Sequence, residues 1–263
     1  MLMYRVKRSF LFVMFLFAYS NLFALSWAEI KAQIDVKYKD FSNEVKDIEI
    51  VMETETKGVE GAGPSEIKML MKGEKYRMET KMDMPGEASM PSGMTEMKNT
   101  IIFDGKDLWS INPFTGKQKL PAEANVSNKN QMNWWKNMPE NGKILGSEKV
   151  GDRDCYIVEI ETEDNSKMKV WIDKKASLLV KMEYEGEEGK SFKVINSNFK
   201  KVKNWEMPYT TEVFIDGEMM SKSTIKSFEV NKGLSDELFD ADKISEKGNI
   251  NIQDMMKEFK KGE

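Results

Sequence analysis

Apolar and polar residues alternate with a period of two through most of this chain, and this pattern constrains its fold more than any other feature. The alternation is clearest in 47–53, 66–72 and 75–82, where Ile, Met and Tyr alternate with Asp, Glu, Lys and Arg. Strands that are buried on one face and hydrated on the other have this pattern, which is typical of antiparallel sheets. The chain is therefore predicted to be mainly antiparallel β.

Short turn sequences separate the predicted strands. Gly73-Glu74 and Asp216-Gly217 are predicted to be turns, and Asp104-Gly105 is a favoured two-residue hairpin turn. Asp152-Arg153 is predicted to separate Val150 from the strand that contains Cys155. The strands do not alternate with helices, so about ten or eleven strands should form one large antiparallel sheet that is strongly curved or closed.

A few helices accompany the predicted sheet, which places the chain in the α+β class. Between Ile30 and Val45, apolar residues recur at the spacing of one helix face. Residues 128–138, within an insertion at 121–142, are predicted to form a short helix, and the tail 250–263 is predicted to be helical. A second insertion, 83–98, is predicted to be a loop rich in Met, Pro and Gly.

Residues 1–28 have the features of an export signal. A positively charged start is followed by an apolar stretch at 10–25 and by Ser26-Trp27-Ala28, the small-x-small pattern that signal peptidase needs. We therefore predict an exported protein that is cleaved after Ala28, with 29–263 as a single domain. The alternative is that the segment is kept as a single N-terminal membrane anchor.

Composition excludes several classes of function. The chain has 263 residues, no His, a single Cys and a net charge of -4. Without His, it has no Ser-His-Asp triad, Cys-His pair or His-ligated zinc site, and without a basic excess it is not expected to bind nucleic acid. We expect no enzymatic activity and no cofactor, and we expect Cys155 to be a buried, inert thiol.

Methionine is unusually frequent, with 21 residues in the chain. Met69, Met71, Met78 and Met82 are predicted to line one face of two strands, and Met residues of the 83–98 loop would extend that surface. Flexible, polarizable side chains suit a surface that accepts varied apolar ligands. Two alternatives stay open: a core that uses Met without a ligand, and a Cu(I) site built from thioethers.

Four segments resemble one known family. They are IFDGKDLWSINP at 102–113, GDRDCYIVEI at 151–160, VWIDK at 170–174 and VNKGL at 230–234. Together with the export signal and the first amphipathic helix, they resemble the outer-membrane lipoprotein-sorting, LolA/LolB-like superfamily. The resemblance extends over most of residues 30–240.

The resemblance implies an incomplete, strongly curved β-barrel whose concave apolar face is covered by helices. In that family the cavity takes up acyl chains of lipoproteins or other hydrophobic ligands, without covalent catalysis. It therefore implies a periplasmic carrier or binding protein for lipid or lipoprotein acyl chains, with a membrane-associated donor or acceptor protein as a further partner. The alternative is a protein-interaction or sensor module on the same fold.

Candidate cavity residues come from the predicted apolar face and from the 121–142 insertion. They are Ile50, Met69, Met71, Met78, Phe103, Trp109, Ile111, Trp134, Trp135 and Met138. Because Trp134 and Trp135 are adjacent on a predicted helix, they must point in different directions. At least one of them is expected to contact another element or a ligand.

Overall fold

One α-helix and a sheet of 13 strands dominate the computed structural model of the protein. The described residues are 25–57, 63–83, 96–121, 124, 136, 138–162, 166–186, 189–203 and 205–244. The helix α1 is Trp27–Glu44. The strands are β1 (Asp47–Thr56), β2 (Ser65–Lys72), β3 (Lys75–Asp83), β4 (Glu96–Phe103), β5 (Leu108–Asn112), β6 (Gly116–Leu120), β7 (Lys143–Val150), β8 (Arg153–Glu161), β9 (Lys167–Asp173), β10 (Leu179–Glu185), β11 (Ser191–Val202), β12 (Trp205–Ile215) and β13 (Glu218–Val230).

All strand pairs are antiparallel, and the strands form one sheet. Their order is β6-β5-β4-β3-β2-β1-β13-β12-β11-β10-β9-β8-β7. Each strand therefore lies beside its neighbour in the chain, except that β1 pairs with β13 and that β6 and β7 form the two unpaired edges. The sheet is large and curved but not closed, which confirms the predicted incomplete barrel with few helices.

Helix α1 begins earlier than its apolar spacing predicted. Ser26 is the N-cap and forms a capping box with Glu29, because each side chain bonds the backbone amide of the other residue. Trp27, the first helical residue, is only 3% exposed. Its indole Nε1 donates to the carbonyl of Pro139 at 2.9 Å.

One side of α1 packs against the sheet in two places. Toward its start, Ile30 and Ile34 are buried with residues of β8 and β9, such as Val158 and Val170. Toward its end, Phe41 is buried with apolar residues of β1 and β13. We call the side of the sheet that carries α1 the helix face and the opposite side the outer face.

Two of the predicted two-residue turns are confirmed. Gly73-Glu74 joins β2 to β3, and Asp216-Gly217 joins β12 to β13. Asp216 and Gly217 have φ values of 51° and 81°, as a type I′ turn requires at both central positions.

Two other turn predictions are wrong in detail. The loop between β4 and β5 spans 104–107. The Asp104 carboxylate stabilises this four-residue loop by accepting hydrogen bonds from the amides of Lys106 and Asp107. The turn before β8 is 151–152 and not Asp152-Arg153, because Gly151 takes the positive φ of 60° that the turn requires.

The sheet has more strands than the sequence predicted. Strand β6 was missed and all but the last residue of β7 was missed, because these edge strands are largely polar and show little alternation. The predicted loop 83–98 is also too long, since β3 includes Asp83 and β4 begins at Glu96. Residues 84–95 of that loop, the tail 250–263 and most of the predicted helix 128–138 lie outside the described residues.

A segment after β13 covers part of the outer face. It contains two 3₁₀ turns, Asp236–Phe239 and Ala241–Lys243, and we call residues 231–244 the strap. Apolar strap residues pack on outer-face residues of β2, β4 and β5; the buried members of this cluster are Leu70, Ile102, Ile111, Leu234, Phe239 and Ala241. Helix α1 therefore covers part of one apolar face of the sheet, as predicted for a helix, whereas the 3₁₀ turns cover the opposite side.

Candidate ligand-binding face

Cross-strand register arranges the helix face of β1–β4 in rows of side chains. Two rows, which we call the apolar rows, contain no polar residue other than the phenol of Tyr76. They are Ile48-Met71-Tyr76-Phe103 and Ile50-Met69-Met78-Ile101. The next two rows mix apolar and neutral polar side chains and are Met52-Ile67-Thr80-Asn99 and Thr54-Ser65-Met82-Met97.

Helix α1 covers only part of this surface. Its Phe41 packs with Ile48, Ile50 and Phe228, and the Phe41 ring lies against Trp205 with centroids 3.2 Å apart. On β2–β4, by contrast, Tyr76 is the only buried member of the apolar rows, and the others are half-buried. Among the described residues, an adaptable apolar surface thus continues beyond the edge of the helix.

In the described part of these strands, no charged side chain lies on the helix face of β1–β4 or β12, and on β13 only Glu218, its first residue, does. Alternation places the other charged side chains on the outer face, where Glu49 of β1 pairs with Lys68 of β2 at 3.1 Å and with Lys232 at 3.0 Å. On the neighbouring β11, Lys200 does reach the helix face, with its Nζ 4.4 Å from the Tyr209 ring centroid. The surface around the apolar rows can therefore contact hydrocarbon without exposing it to an unpaired charge.

The structure brings together five of the predicted cavity residues. Ile50, Met69, Met71 and Met78 lie in adjacent positions of the apolar rows, and Phe103 ends one row. Met69 and Met78 are direct cross-strand partners. This arrangement agrees with the predicted Met-lined face of two strands.

The other five predicted cavity residues do not join this surface. Trp109 and Ile111 lie on the outer face under the strap. The four-residue loop 104–107 pairs Leu108 with Phe103 on the helix face, and Trp109 and Ile111, one and three positions after Leu108, therefore point to the other side. Met138 is buried beneath the start of α1 with Trp27. Trp134 and Trp135 lie outside the described residues.

Sequence reasoning missed several residues of the helix face. Tyr76 and Ile101 complete the apolar rows, and Thr54 and Asn99 contribute neutral polar groups beside them. Alternation alone could have identified them, because each is an even number of positions from a predicted cavity residue on the same strand. Burial raises the pKa of Tyr76, so its phenol stays neutral at physiological pH.

The family-like motifs have structural roles. Asp104 of the 102–113 segment also accepts a hydrogen bond from the Trp109 indole at 3.2 Å. Asp173 of the 170–174 segment accepts hydrogen bonds from the amides of Lys175 and Ala176 at 2.7 and 2.6 Å. In both segments a carboxylate stabilises the turn that leaves a strand.

Cys155 and Arg153 are both held in structural contacts. Cys155 is fully buried, and burial, with a further contribution from the nearby Asp173 carboxylate, raises its thiol pKa to about 11. Arg153 bridges Asp173, at 2.8 Å, and Glu206. No cluster of three or more acidic or Cys side chains that could hold a metal ion is found in the described residues.

Comparisons with known proteins identify the fold. A protein-family model described as "Uncharacterized protein" matches residues 136–246, which include β7–β13 and the strap. A comparison with curated proteins finds no match. A DUF1329 family protein from Desulfovibrio piger superposes with a TM-score of 0.58 at 16% identity, covering 84% of this chain and 100% of its own.

Two further solved structures are named after lipoprotein sorting or the LolA superfamily. A putative outer membrane lipoprotein-sorting protein domain from Vibrio parahaemolyticus has a TM-score of 0.55 at 14% identity, covering 80% of this chain and 96% of its own. A LolA superfamily protein from Nitrosomonas europaea has a TM-score of 0.51 at 17% identity, covering 84% and 100%. This chain has a LolA-like fold. Within the described residues, no helix has the length and apolar character needed to span a bilayer.

Proposed function

We propose that this LolA-like protein is a non-enzymatic binding or carrier protein that shields a hydrophobic ligand, lipid or lipoprotein acyl chains, on its helix face. The observation that carries the proposal is the half-buried, charge-free surface formed by the apolar rows on β2–β4. Each methylene group that leaves water contributes roughly 0.8 kcal/mol, so a single acyl chain along these rows would bind usefully. Met side chains at Met69, Met71 and Met78 can adapt to chains of different shape.

We further propose that the protein works in the periplasm after export. The predicted leader 1–28 supports this location, and a membrane-associated donor or acceptor would be its partner. Intact-mass measurement on protein collected from the periplasm gives the cleavage site directly. A chain found only in the cytoplasm would contradict the proposal.

Native mass spectrometry with organic extraction, on exported protein purified without detergent, tests the ligand class. Co-purifying lipid or acylated peptide supports the proposal, and its mass identifies the ligand. Protein that carries no ligand and also fails to bind added fatty-acid probes would contradict it. Such a result would favour a module that binds a protein partner.

Two matched Lys variants test whether the helix face binds the ligand. Met69→Lys places a charge in an apolar row, and Glu66→Lys places one on the exposed outer side of the same strand. We expect Met69→Lys to weaken binding of a fatty-acid probe at least about tenfold, because an ammonium group cannot be buried beside hydrocarbon, and Glu66→Lys to have little effect. Met82→Lys, close to the end of β3, serves as a second variant if Met69→Lys does not fold.

A further inference from the structure

Neutral polar side chains form a continuous row across the helix face, beside the apolar rows. Each member pairs with the next across β11, β12, β13, β1 and β2, and the members are Asn196, Thr211, Ser223, Thr54 and Ser65. We call this set the polar row. Ser65 is 8% exposed, and the other four residues are half-buried. Hydrogen-bonding groups therefore cross a face whose neighbouring positions, such as Met52, Ile67 and Ile225, are apolar.

Bonds within the polar row leave part of its hydrogen-bonding capacity unused. The hydroxyls of Thr54 and Ser223 share one hydrogen bond at 2.9 Å. Thr211 Oγ1 donates to Asn196 Oδ1 at 2.9 Å. A hydroxyl group has one donor hydrogen and two acceptor lone pairs, so a mutual bond between two hydroxyls leaves one donor available to a third group. In the adjacent row, the buried Oδ1 of Asn99 has no hydrogen-bond partner within the described residues.

On β1 and β13, charge enters beyond the polar row, at the ends of these two strands. A pocket of about 240 Å³ lies there, lined by residues 55–57 and 219–222. Its cations are already paired, because Lys57 bonds Glu218 at 2.9 Å and Lys222 lies 3.4 Å from Glu212. Polarity thus increases along the strands from hydrocarbon-like rows, through neutral hydroxyls, to a rim of compensated charge.

We infer that the helix face binds an uncharged ester lipid of the diacylglycerol type, with its acyl chains on the apolar rows and its ester carbonyls on the polar row. The inference rests on the proposed lipid-binding function and adds the ligand class. Hydroxyl donors of Thr54, Ser223 and Ser65 match the acceptor oxygens of esters. The free hydroxyl of the glycerol reaches the hydrated rim.

Other lipid classes fit this order of polarity less well. A fatty-acid carboxylate or a lipid phosphate would lose its hydration on the apolar rows and the polar row, because these rows carry no cation to replace it. A pure hydrocarbon would remove water from the polar row without supplying acceptors for its hydroxyl donors. An ester lipid avoids both penalties.

Competition against the neutral fluorescent probe N-phenyl-1-naphthylamine tests the ligand class on the exported full chain. The competitors are dioleoylglycerol, oleate, dioleoylphosphatidylglycerol and squalene. We expect dioleoylglycerol to displace the probe at concentrations about tenfold lower than squalene, the effect of about two hydrogen bonds, and also lower than oleate and the phospholipid, whose charge must lose its hydration. The double variant Thr54→Val with Ser223→Ala should lose the preference over squalene and bind squalene as before.

Thr224→Val is the matched control, because Thr224 lies next to Ser223 on β13 but pairs with Glu53 on the outer face. It should keep the preference for dioleoylglycerol. If the double variant does not fold, Thr54→Val alone should reduce the preference about threefold. Equal binding of all four competitors, tighter binding of oleate or the phospholipid, or an unchanged preference in the double variant would overturn the ligand class alone. Failure of the probe and of every competitor to bind would instead overturn the proposed function.

Discussion

Trp27 connects the start of α1 with the chain that leads into β7. Its indole is buried, bonds the Pro139 carbonyl, and packs so closely on Gly142 that a Cβ atom there would lie 2.3 Å from the ring. Gly142 is thus required by a close approach, although its own φ is not in the left-handed region. The sequence around Gly142 carries no local signal for this contact.

Replacing Gly142 by Ala should destabilise the protein by about 1–3 kcal/mol, because the added methyl group displaces the Trp27 ring from its packed position. Urea unfolding followed by tryptophan fluorescence measures the change. Gly63→Ala is the matched control, since a Cβ atom there would meet only Asp83 Cβ at 3.8 Å. Equal stability of the two variants would contradict this account of Gly142.

Asp173 makes the stability of the fold depend on pH. Burial alone would raise its pKa, but hydrogen bonds from the amide of Ala176, from Arg153 and from the amide of Lys175 outweigh it and hold the pKa below its ordinary value. A carboxyl whose folded pKa is lowered contributes stability above its unfolded pKa, about 3.9, and loses it as the pH falls through the folded value. Asp173 should therefore stabilise the protein at neutral pH and not in strong acid.

Asp173→Asn should cost about 2 kcal/mol at pH 7, because the half-buried Arg153 loses one of its two carboxylate partners and keeps only Glu206. The difference from the unmodified protein should shrink as the pH falls below about 4. Urea unfolding at a series of pH values measures both effects. A difference that stays constant from pH 7 to strong acid would exclude Asp173 as the source.

At the scale of elements, one buried carboxylate fixes the start of the strap. Asp47, 4% exposed, accepts hydrogen bonds from the amides of Lys232, Gly233 and Leu234 at 2.7, 2.9 and 3.3 Å. This explains the VNKGL segment, since Asn231 and Gly233 take positive φ values of 59° and 75° that turn the chain toward Asp47. Strap residues then reach the outer face and bury Phe239.

Asp47→Ala should destabilise the protein by about 2–4 kcal/mol, because three amides lose an ionised acceptor. The strap should loosen, so amide hydrogen exchange in 232–244 should accelerate more than exchange in β9. Asp152→Ala, at an exposed turn position, is the control and should change neither quantity. Unchanged protection of the strap would refute the role assigned to Asp47.

The start of α1 bears on the predicted cleavage after Ala28, which stays a prediction. A chain that begins at Glu29 lacks the Ser26 cap and the buried Trp27, whereas one that begins at Leu25 keeps both. We expect the shorter chain to be less stable by about 3–5 kcal/mol, since an N-cap contributes about 1 kcal/mol and a buried Trp side chain more. Thermal unfolding of the two chains measures the difference, and equal midpoints would show that Ser26 and Trp27 are dispensable.

At the scale of the whole molecule, the sheet is completed by pairing between β1 and β13, its first and last strands in the sequence. β1 pairs with β13 from residue 48 to residue 56, so that Ile48 lies opposite Val230 and Ile50 opposite Phe228. The helix face on β1–β4 becomes continuous with that on β12 only through this pairing. The proposed binding surface therefore depends on contacts between the two ends of the described chain.

Refolding should consequently be slow. Pairing of β1 with β13 closes a very long loop before its contacts can stabilise it, and sheet proteins dominated by such contacts fold in milliseconds to seconds. Stopped-flow tryptophan fluorescence measures the rate. Complete refolding within microseconds would indicate that this pairing is not needed for the fold.

Local sequence patterns determined much of this protein. Alternation gave β1, β2 and β3 and their two faces, the spacing from Ile30 to Val45 gave α1, and two turn dipeptides gave the hairpins at 73–74 and 216–217. Five of the ten predicted cavity residues fell on one surface for the same reason, because side-chain direction along a strand is a local property.

Tertiary structure decided which apolar face is covered and by what. Strands β4 and β5 carry apolar residues on both sides, with Ile101 and Phe103 on one and Ile102, Trp109 and Ile111 on the other. A period of two cannot rank these faces, since each is equally consistent with burial. Only the docking of α1 and the attachment of the strap to Asp47 assign them, and both depend on side chains far apart in the sequence.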